Sequence, residues 1–240
     1  MNILNLLKEE RQNGLKGALY HKTQVTLCYN SNRIEGTKLS EEQTRYIFET
    51  KTIGFNTDGL PVDDIVETAN HFRAFDYMLD TIAEPLNTII IKQYHQILKS
   101  GTSQSTQAYF NVGGWKTIPN EVGGQETTPP KEVENEIQKL LQTYHTKNIG
   151  FDDVVQFHVD FEQIHPFQDG NGRVGRLIIF RELLKNNLVP LIIDEKHKLF
   201  YYRGIKEYST TKGYLTDTLL SAQDTYKTWV AYFYPNEIEA

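Results

Sequence analysis

The chain has 240 residues, of which 39% are hydrophobic and 23% are charged, with 16 glycines and 8 prolines. These values are typical of one globular domain, with or without a helical extension, and exclude a collagen-like, coiled-coil or wholly disordered chain. The formal net charge of −6 makes the chain as a whole a poor partner for nucleic acid or an anionic membrane.

Cysteine content and the terminal segment indicate a cellular compartment. The single cysteine, Cys28, excludes an internal disulfide and a cysteine-based zinc site. The N-terminal segment has no basic region and reaches Glu9 and Glu10 too early for a signal peptide. The apolar run 188–193, which contains Pro190, is too short to span a membrane. We therefore expect a soluble cytoplasmic protein.

Most of the chain has the periodicity and end signals of helices, so we predict an all-α fold. A first helical region ends at Gly36. A second begins at Ser40, where Gln43 completes a capping box, and ends near Gly54, before a loop over 54–61. The remaining helices are predicted over 62–83, 88–99, 129–146, 150–165, 173–185, 195–208 and 214–233.

Residues 109–130 have a different composition. They contain two Gly-Gly pairs and three prolines, interleaved with Trp115, Ile118 and Val122. This pattern is typical of a β-hairpin or flap and not of a helix. We therefore predict one β-like flap within the helical fold.

The segment that carries chemistry, HPFQDGNGRVGR over 165–176, joins two predicted helices. Two glycines flank Asn171, so backbone N–H groups can be exposed at the start of the second helix, where phosphate binds. Arg173 and Arg176 are three residues apart and lie on one helix face, where they can clamp further phosphates. Asp169 is a hard oxygen ligand suited to Mg²⁺ that phosphates also hold.

His165 begins the same segment, and its imidazole can take a proton from an incoming hydroxyl. Taken singly, a histidine after a helix, a glycine-rich turn and an Arg-x-x-Arg face are all common surface features. Their occurrence together, in this order, favours a site for attack on a nucleoside triphosphate.

At every defined position this segment resembles the signature of the Fic family, His-x-Phe-x-Asp/Glu-Gly-Asn-Gly-Arg-x-x-Arg. The resemblance extends over most of residues 60–235. It implies a helical Fic fold with a small β-hairpin flap over the active site. It also implies transfer of AMP from ATP to a hydroxyl of a target protein, with release of pyrophosphate.

The resemblance gives the loop residues their roles. His165 would be the base that deprotonates a Ser, Thr or Tyr of the target, and Asp169 would hold Mg²⁺. Asn171 and Arg173 would complete the catalytic set, Asn171 at the α-phosphate and Arg173 at the outer phosphates. The implied contacts with ATP in this segment come from Asp169, Gly170, Asn171, Gly172, Arg173 and Arg176.

A second motif, SNRIEG, lies upstream at the end of the first helical region, where Ser31 and Glu35 share a helix face. Alone it is an ordinary helix end. It also resembles the Ser/Thr-x-x-x-Glu motif of an inhibitory helix in many Fic proteins. The resemblance implies that Glu35 pairs with Arg176, so that ATP binds with a misaligned α-phosphate. A second role for Glu35, positioning water to remove AMP, stays open.

The resemblance also implies an organisation and supporting contacts. Residues 1–60 would be an N-terminal helical region with the inhibitory motif, and 61–240 the Fic core with the flap and C-terminal helices. The target backbone would add to the flap as an extra strand. Tyr201 and Tyr202 would stack on adenine, the alternative being two core tyrosines. The implied nucleotide contacts outside the loop are Val122, Gly123, Gly124, Gln125, Tyr201, Tyr202 and Ser209.

The leading hypothesis is therefore an autoinhibited protein adenylyltransferase that uses ATP and Mg²⁺ and acts on a target protein, itself included. Two alternatives stay open: a Fic enzyme that mainly removes AMP or uses another donor, and a toxin-type nucleotide-binding regulator. The acidic balance disfavours a helix-turn-helix regulator and predicts no nucleic-acid or membrane partner. A homo-oligomer is compatible with the sequence.

Overall fold

The computed structural model describes residues 2–53, 59–146 and 148–235. Within them the chain forms ten α-helices and one two-stranded hairpin, which confirms the predicted all-α fold with a small flap. The helices are α1 (Ile3–Gln12), α2 (Leu19–Ile34), α3 (Glu41–Thr50), α4 (Val62–Thr81), α5 (Thr88–Lys99), α6 (Val133–His145), α7 (Phe151–Ile164), α8 (Asn171–Lys185), α9 (Lys198–Lys206) and α10 (Gly213–Phe233), and the strands are β1 (Glu121–Val122) and β2 (Gln125–Glu126).

Several helix ends follow the local signals in the sequence. Helix α2 ends just before Gly36, which has a φ of +102°. The Ser40 hydroxyl accepts from the Gln43 N–H at 3.1 Å, and the Gln43 side chain accepts from the Ser40 N–H at 2.9 Å, so the capping box is confirmed. Helix α3 ends at Thr50, earlier than predicted, because Lys51 takes a left-handed conformation. Gly54 and most of the predicted loop 54–61 lie outside the described residues.

Other boundaries also differ from the prediction. Helix α6 begins at Val133 and not at 129, because residues 129–132 form a turn in which the Glu132 N–H donates to the Pro129 carbonyl at 2.9 Å. Helix α4 ends at Thr81 and not at 83.

Helix α8 begins at Asn171, two residues before the predicted start, because the chain can turn at Gly170. The predicted helix 195–208 is in fact a 3₁₀ turn, Glu195–His197, followed by α9. The Asp194 side chain caps that turn by accepting from the His197 N–H at 2.9 Å. These differences leave the predicted helix–loop–helix around 165–170 in place.

The fold divides into two compact units, and the division falls within α8. The central unit is Pro61–Ile179, and the terminal unit combines Met1–Leu60 with Phe180–Ala240. The predicted functional division into 1–60 and 61–240 stays a prediction. No described helix has both the length and the apolar character needed to cross a membrane.

The central unit has its own apolar core, in which α4 packs on α5 and α6 packs on α7. Tyr77 and Tyr94 form an edge-to-face pair at 5.8 Å between ring centres, and Tyr144 lies 4.8 Å from Phe157. Aromatic pairs of this kind contribute stabilisation beyond the area that they bury. This core holds the ends of α5, α7 and α8, from which the candidate site is built.

The terminal unit packs α2 against α1 and α3, and α9 against α10. A buried hydrogen bond of 2.8 Å joins the hydroxyls of Thr23 and Tyr226, so α2 and α10 are tied through their side chains. The Glu10 carboxylate accepts from the backbone N–H of Tyr20 at 2.5 Å, which satisfies a donor at the start of α2.

Candidate active site

The central unit brings the residues of the predicted loop together around one bend between α7 and α8. His165 ends α7 in a left-handed conformation, with φ of 51° and ψ of 62°. Its Nδ1 lies 3.3 Å from the Glu162 carbonyl oxygen. Because a carbonyl oxygen only accepts, this contact requires the proton on Nδ1 and leaves the lone pair on Nε2. In this tautomer Nε2 is the nitrogen that can accept a proton.

The aromatic ring of Phe167 fixes the loop to the core. Phe167 is fully buried and stacks on His95, with ring centres 4.1 Å apart and planes 5° from parallel. Trp115 covers another side of the ring at 5.1 Å. His95 in turn accepts from the Gly113 N–H at 2.9 Å. The loop therefore rests on a rigid platform built from α5 and the segment before the flap.

The amide of Asn171 closes the loop. Its Oδ1 accepts from the Phe167 N–H at 2.8 Å, and its Nδ2 donates to the Phe167 carbonyl at 2.8 Å. Gly170 has a φ of +82°, a left-handed conformation that glycine adopts without strain. With the chain turned there, α8 begins at Asn171, and the first turn of a helix is where backbone N–H groups can bind an anion.

Charged side chains surround this helix start, and two of them were missed in the sequence. Lys99 donates to Asp169 Oδ2 at 2.7 Å, and Arg173 Nη2 lies 3.4 Å from the same oxygen. Glu67, from α4, contacts both Lys99 and Arg173. Glu67 and Lys99 lie 106 and 70 residues from their loop partners, so no sequence spacing signals them. We call Glu67, Lys99, Asp169 and Arg173 the charge cluster.

The charge cluster keeps Asp169 ionised. Burial alone would raise the pKa of this carboxyl, but the Arg173 guanidinium and then the Lys99 ammonium outweigh burial and lower the pKa to about 2. Asp169 is therefore an anionic oxygen ligand throughout the neutral pH range.

Two buried histidines lie around Arg176. His71 in α4 and His158 in α7 are each 1% exposed. Burial, and next the nearby arginines, lower the pKa of each imidazole to about 3. Both rings are therefore neutral at pH 7 and do not add to the positive charge of Arg176. A side chain at Gly175 would overlap the end of the Glu162 side chain and crowd the His158 ring, so this glycine leaves room for both.

The flap is a short antiparallel hairpin, in which Val122 pairs with Gln125 and Gly123 and Gly124 form the turn. The four predicted flap residues are exposed. Hydrogen bonds fasten the flap to the loop: the Lys116 N–H donates to the Pro166 carbonyl at 2.8 Å. The Asn120 side chain donates to the Phe167 carbonyl at 3.0 Å.

The remaining predicted residues belong to the terminal unit. Glu35 is the exposed C-cap of α2, and Ser31 is buried in the same helix. Tyr201 is fully buried and Tyr202 is 41% exposed, with ring centres 5.5 Å apart. Ser209 lies exposed in the turn after α9. The roles predicted for these residues stay predictions.

The fold and the loop are found in other proteins. Residues 85–183 match the model of the Fic/DOC family. Protein adenylyltransferase Fic of Culex quinquefasciatus is 27% identical over 203 residues, which cover 79% of this chain and 37% of that protein. The chain therefore spans little more than a third of that relative's length.

Two solved structures share the fold. A Fic domain-containing signalling protein from Bacteroides thetaiotaomicron has a TM-score of 0.78 at 19% identity, over 99% of this chain and 98% of that chain. Fic-1 from C. elegans has a TM-score of 0.74 at 16% identity, over 96% and 72%. These two likenesses show that the chain has the fold of Fic proteins. The segment 85–183 of this chain is similar to the Fic/DOC family.

Proposed function

We propose that the protein transfers AMP from ATP to a hydroxyl side chain of a target protein. The observation that carries this proposal is the bend between α7 and α8. At this bend His165, with its lone pair on Nε2, lies six residues before the start of α8. Arg173 lies in the first turn of that helix. The name of the Culex quinquefasciatus relative, protein adenylyltransferase, supports the same activity.

In the proposed reaction His165 Nε2 takes the proton of the target hydroxyl. The hydroxyl oxygen attacks the α-phosphorus of ATP and forms a new P–O bond. The bond between the α-phosphorus and the bridging oxygen breaks, and pyrophosphate leaves with the electron pair. The N–H groups at the start of α8 would hold the α-phosphate, and Arg173 and Arg176 would stabilise the charge on the outer phosphates.

We propose Mg²⁺ as the accompanying cation, with Asp169 as its ligand. The donor chemistry fits, because Asp169 supplies an ionised carboxylate whose side chain is 38% exposed. Among the described residues no three His, Cys, Asp or Glu side chains form a metal cage. A cation that keeps waters and shares phosphate oxygens suits a single carboxylate. When bound, it would neutralise phosphate charge.

The flap supports a place for the target. Its strands have two residues each and are exposed, so an extended target segment can add beside them by main-chain hydrogen bonds. The bond from the Lys116 N–H to the Pro166 carbonyl and the bond from the Asn120 side chain to the Phe167 carbonyl would hold such a segment at a fixed distance from His165. A hydroxyl of this protein itself can serve as the target in the same way.

We also propose that Glu35 restrains the activity. The motif around Glu35 resembles the inhibitory motif of Fic proteins. Glu35 itself is the C-cap of α2 and is exposed. A carboxylate is the side chain suited to compete with phosphate for an arginine.

Intact-mass spectrometry after incubation with ATP and Mg²⁺ tests the proposed function. The Glu35→Gly variant, incubated with a cell extract or alone, should yield species heavier by about 329 Da, the mass that AMP adds. His165→Ala in the same background should yield none. A mass gain that persists in His165→Ala would exclude this mechanism. A gain of another mass would identify a different donor group.

A further inference from the structure

The charge cluster contains two residues that the loop motif does not include. Glu67 Oε1 contacts Lys99 Nζ, and Glu67 Oε2 contacts Arg173 Nη1. Asp169 Oδ2 contacts the same two cations, Lys99 at 2.7 Å and Arg173 at 3.4 Å. Each carboxylate thus touches both cations. The four charges form a closed arrangement with a formal sum of zero.

The two carboxylates differ in their exposure to solvent. The side chain of Glu67 is 12% exposed, and that of Asp169 is 38% exposed. Lys99 and Arg173 are almost fully buried, at 2% and 3%. A buried cation that loses a buried carboxylate partner carries a large desolvation cost. Exchange of partners is therefore far easier at Asp169 than at Glu67.

We propose that Glu67 and Lys99 are positioning residues that prepare Asp169 and Arg173 for ATP and its cation. This inference rests on the proposed function. Glu67 stays bonded to Arg173 and Lys99 throughout and sets the direction of the guanidinium. Asp169 leaves Lys99 and Arg173 when it takes the divalent cation, and Arg173 Nη2 is then available to a phosphate oxygen. Lys99 accordingly competes with the divalent cation for Asp169.

The two residues should act with opposite sign. Lys99→Met removes the competitor for Asp169, so the gain in ATP affinity that Mg²⁺ brings should increase. The same change removes a positive charge near the triphosphate, so ATP affinity without metal should fall. Glu67→Gln removes a negative charge, so metal-free affinity should rise. Lys99 and Arg173 then hold Asp169 more strongly, so the gain from Mg²⁺ should shrink.

Calorimetric titration of the full chain with ATP measures these effects, once in EDTA and once in Mg²⁺. The quantity to compare is the ratio of the two dissociation constants, metal-free over metal-containing. We expect the ratio to rise about tenfold in Lys99→Met and to fall about tenfold in Glu67→Gln. A change of this size corresponds to removal of one unit charge whose interaction with the bound charges is partly screened. Lys99→Arg keeps the charge and should stay within about threefold of wild type.

Matched controls come from the same two helices. Lys92 in α5 pairs with Glu134 at 3.1 Å, outside the charge cluster, and Asp80 is exposed in α4. Lys92→Met and Asp80→Asn should leave the ratio unchanged. Should either single variant fail to fold, the double variant Glu67→Gln/Lys99→Met leaves no uncompensated charge. Its ratio should lie within about threefold of wild type, because Asp169 and Arg173 still balance each other and the net charge near the triphosphate is unchanged.

The outcomes separate this inference from the proposed function. If both single variants bind ATP more weakly by the same factor with and without Mg²⁺, the role of Glu67 and Lys99 is purely structural. That result would overturn the inference. A double variant whose ratio shifts more than tenfold would do the same. If wild-type protein binds ATP and Glu35→Gly adds AMP, but the ratio is unchanged in the variants, only the inference is defeated. If wild-type protein binds no ATP in either buffer, both the inference and the proposed function are wrong.

Discussion

The side-chain amide of Asn171 makes two hydrogen bonds, both with the main chain of Phe167, four residues earlier in the sequence. One bond is donated by the Phe167 N–H and the other is accepted by its carbonyl oxygen, each at 2.8 Å. An amide is the side chain that can satisfy both groups at once. Asn171 therefore holds the bend closed from inside, while its own backbone begins α8.

Asn171→Asp tests this function of the amide. A carboxylate still accepts from the Phe167 N–H, but it cannot donate to the carbonyl, which is then buried opposite a negative charge. We expect a loss of about 1–3 kcal/mol in the free energy of unfolding. Urea unfolding followed by circular dichroism provides the measurement.

Asn186→Asp is the control, because Asn186 makes one side-chain hydrogen bond to Glu182 near the end of α8, away from the bend. It should cost less than Asn171→Asp. Equal losses in the two variants would show that the bend does not depend on the Asn171 amide.

The flap should depend on the buried ammonium of Lys116. This group donates to Asn120 Oδ1 at 2.7 Å and to Thr127 Oγ1 at 2.5 Å, one on each side of the hairpin. Lys116→Met should leave ATP affinity within about twofold of wild type while raising the KM for the protein target about tenfold, since the flap loses its fixed base. Steady-state AMP transfer and ATP titration give the two numbers.

A matched change is Lys131→Met, which removes a lysine from the exposed segment after the flap. It should leave both constants as in wild type. An unchanged KM in Lys116→Met would mean that the target does not depend on the flap.

Acid should destabilise the central unit through His71 and His158. Both have a pKa lowered from 6.5 to about 3, with burial as the main cause. Because the unfolded chain binds these protons more readily, the stabilisation is complete above about pH 6.5 and is lost as the pH falls toward 3. The free energy of unfolding should therefore fall between pH 7 and pH 5, and His158→Gln should flatten that fall.

Urea unfolding at half-unit pH steps measures this slope. His197→Gln provides a comparison, since the His197 side chain is 50% exposed. It should leave the slope as in wild type. A slope that is the same in wild type and His158→Gln would contradict the assignment of a neutral, buried imidazole at this position.

Glu35→Gly should raise AMP incorporation by about a hundredfold, the effect that correcting a small misalignment of the reacting phosphate can have. Labelled ATP gives the rate for variant and wild type. Glu207 is a close match for the control, because it is the C-cap of α9 as Glu35 is the C-cap of α2. Glu207→Gly should leave the rate unchanged, and equal rates for all three proteins would remove Glu35 from a regulatory role.

The parts of the fold that the sequence predicted well depend on neighbouring residues. The capping box of Ser40 and Gln43, the end of α2 before Gly36, and the bend at Gly170 each need only a few consecutive side chains or one backbone conformation. The motif of the bend was readable for the same reason, since it occupies twelve consecutive residues.

The parts that could not be predicted depend on residues far apart in the chain. Glu67 and Lys99 are common helix residues with no distinguishing pattern, and only the packing of α4 and α5 brings them to Asp169. The assembly of the first sixty residues with the C-terminal helices into one compact unit also has no local signal. Long-range contacts of this kind are fixed by tertiary packing, which overrides local preference.

His165 has a left-handed backbone conformation that its side chain disfavours, although the proposed reaction requires that side chain. A side chain with a β-carbon resists that conformation, whereas glycine adopts it freely. His165→Gly should therefore give a chain that is slightly harder to unfold and wholly inert in the proposed reaction. The fold tolerates a disfavoured conformation at the residue whose imidazole the proposed reaction requires.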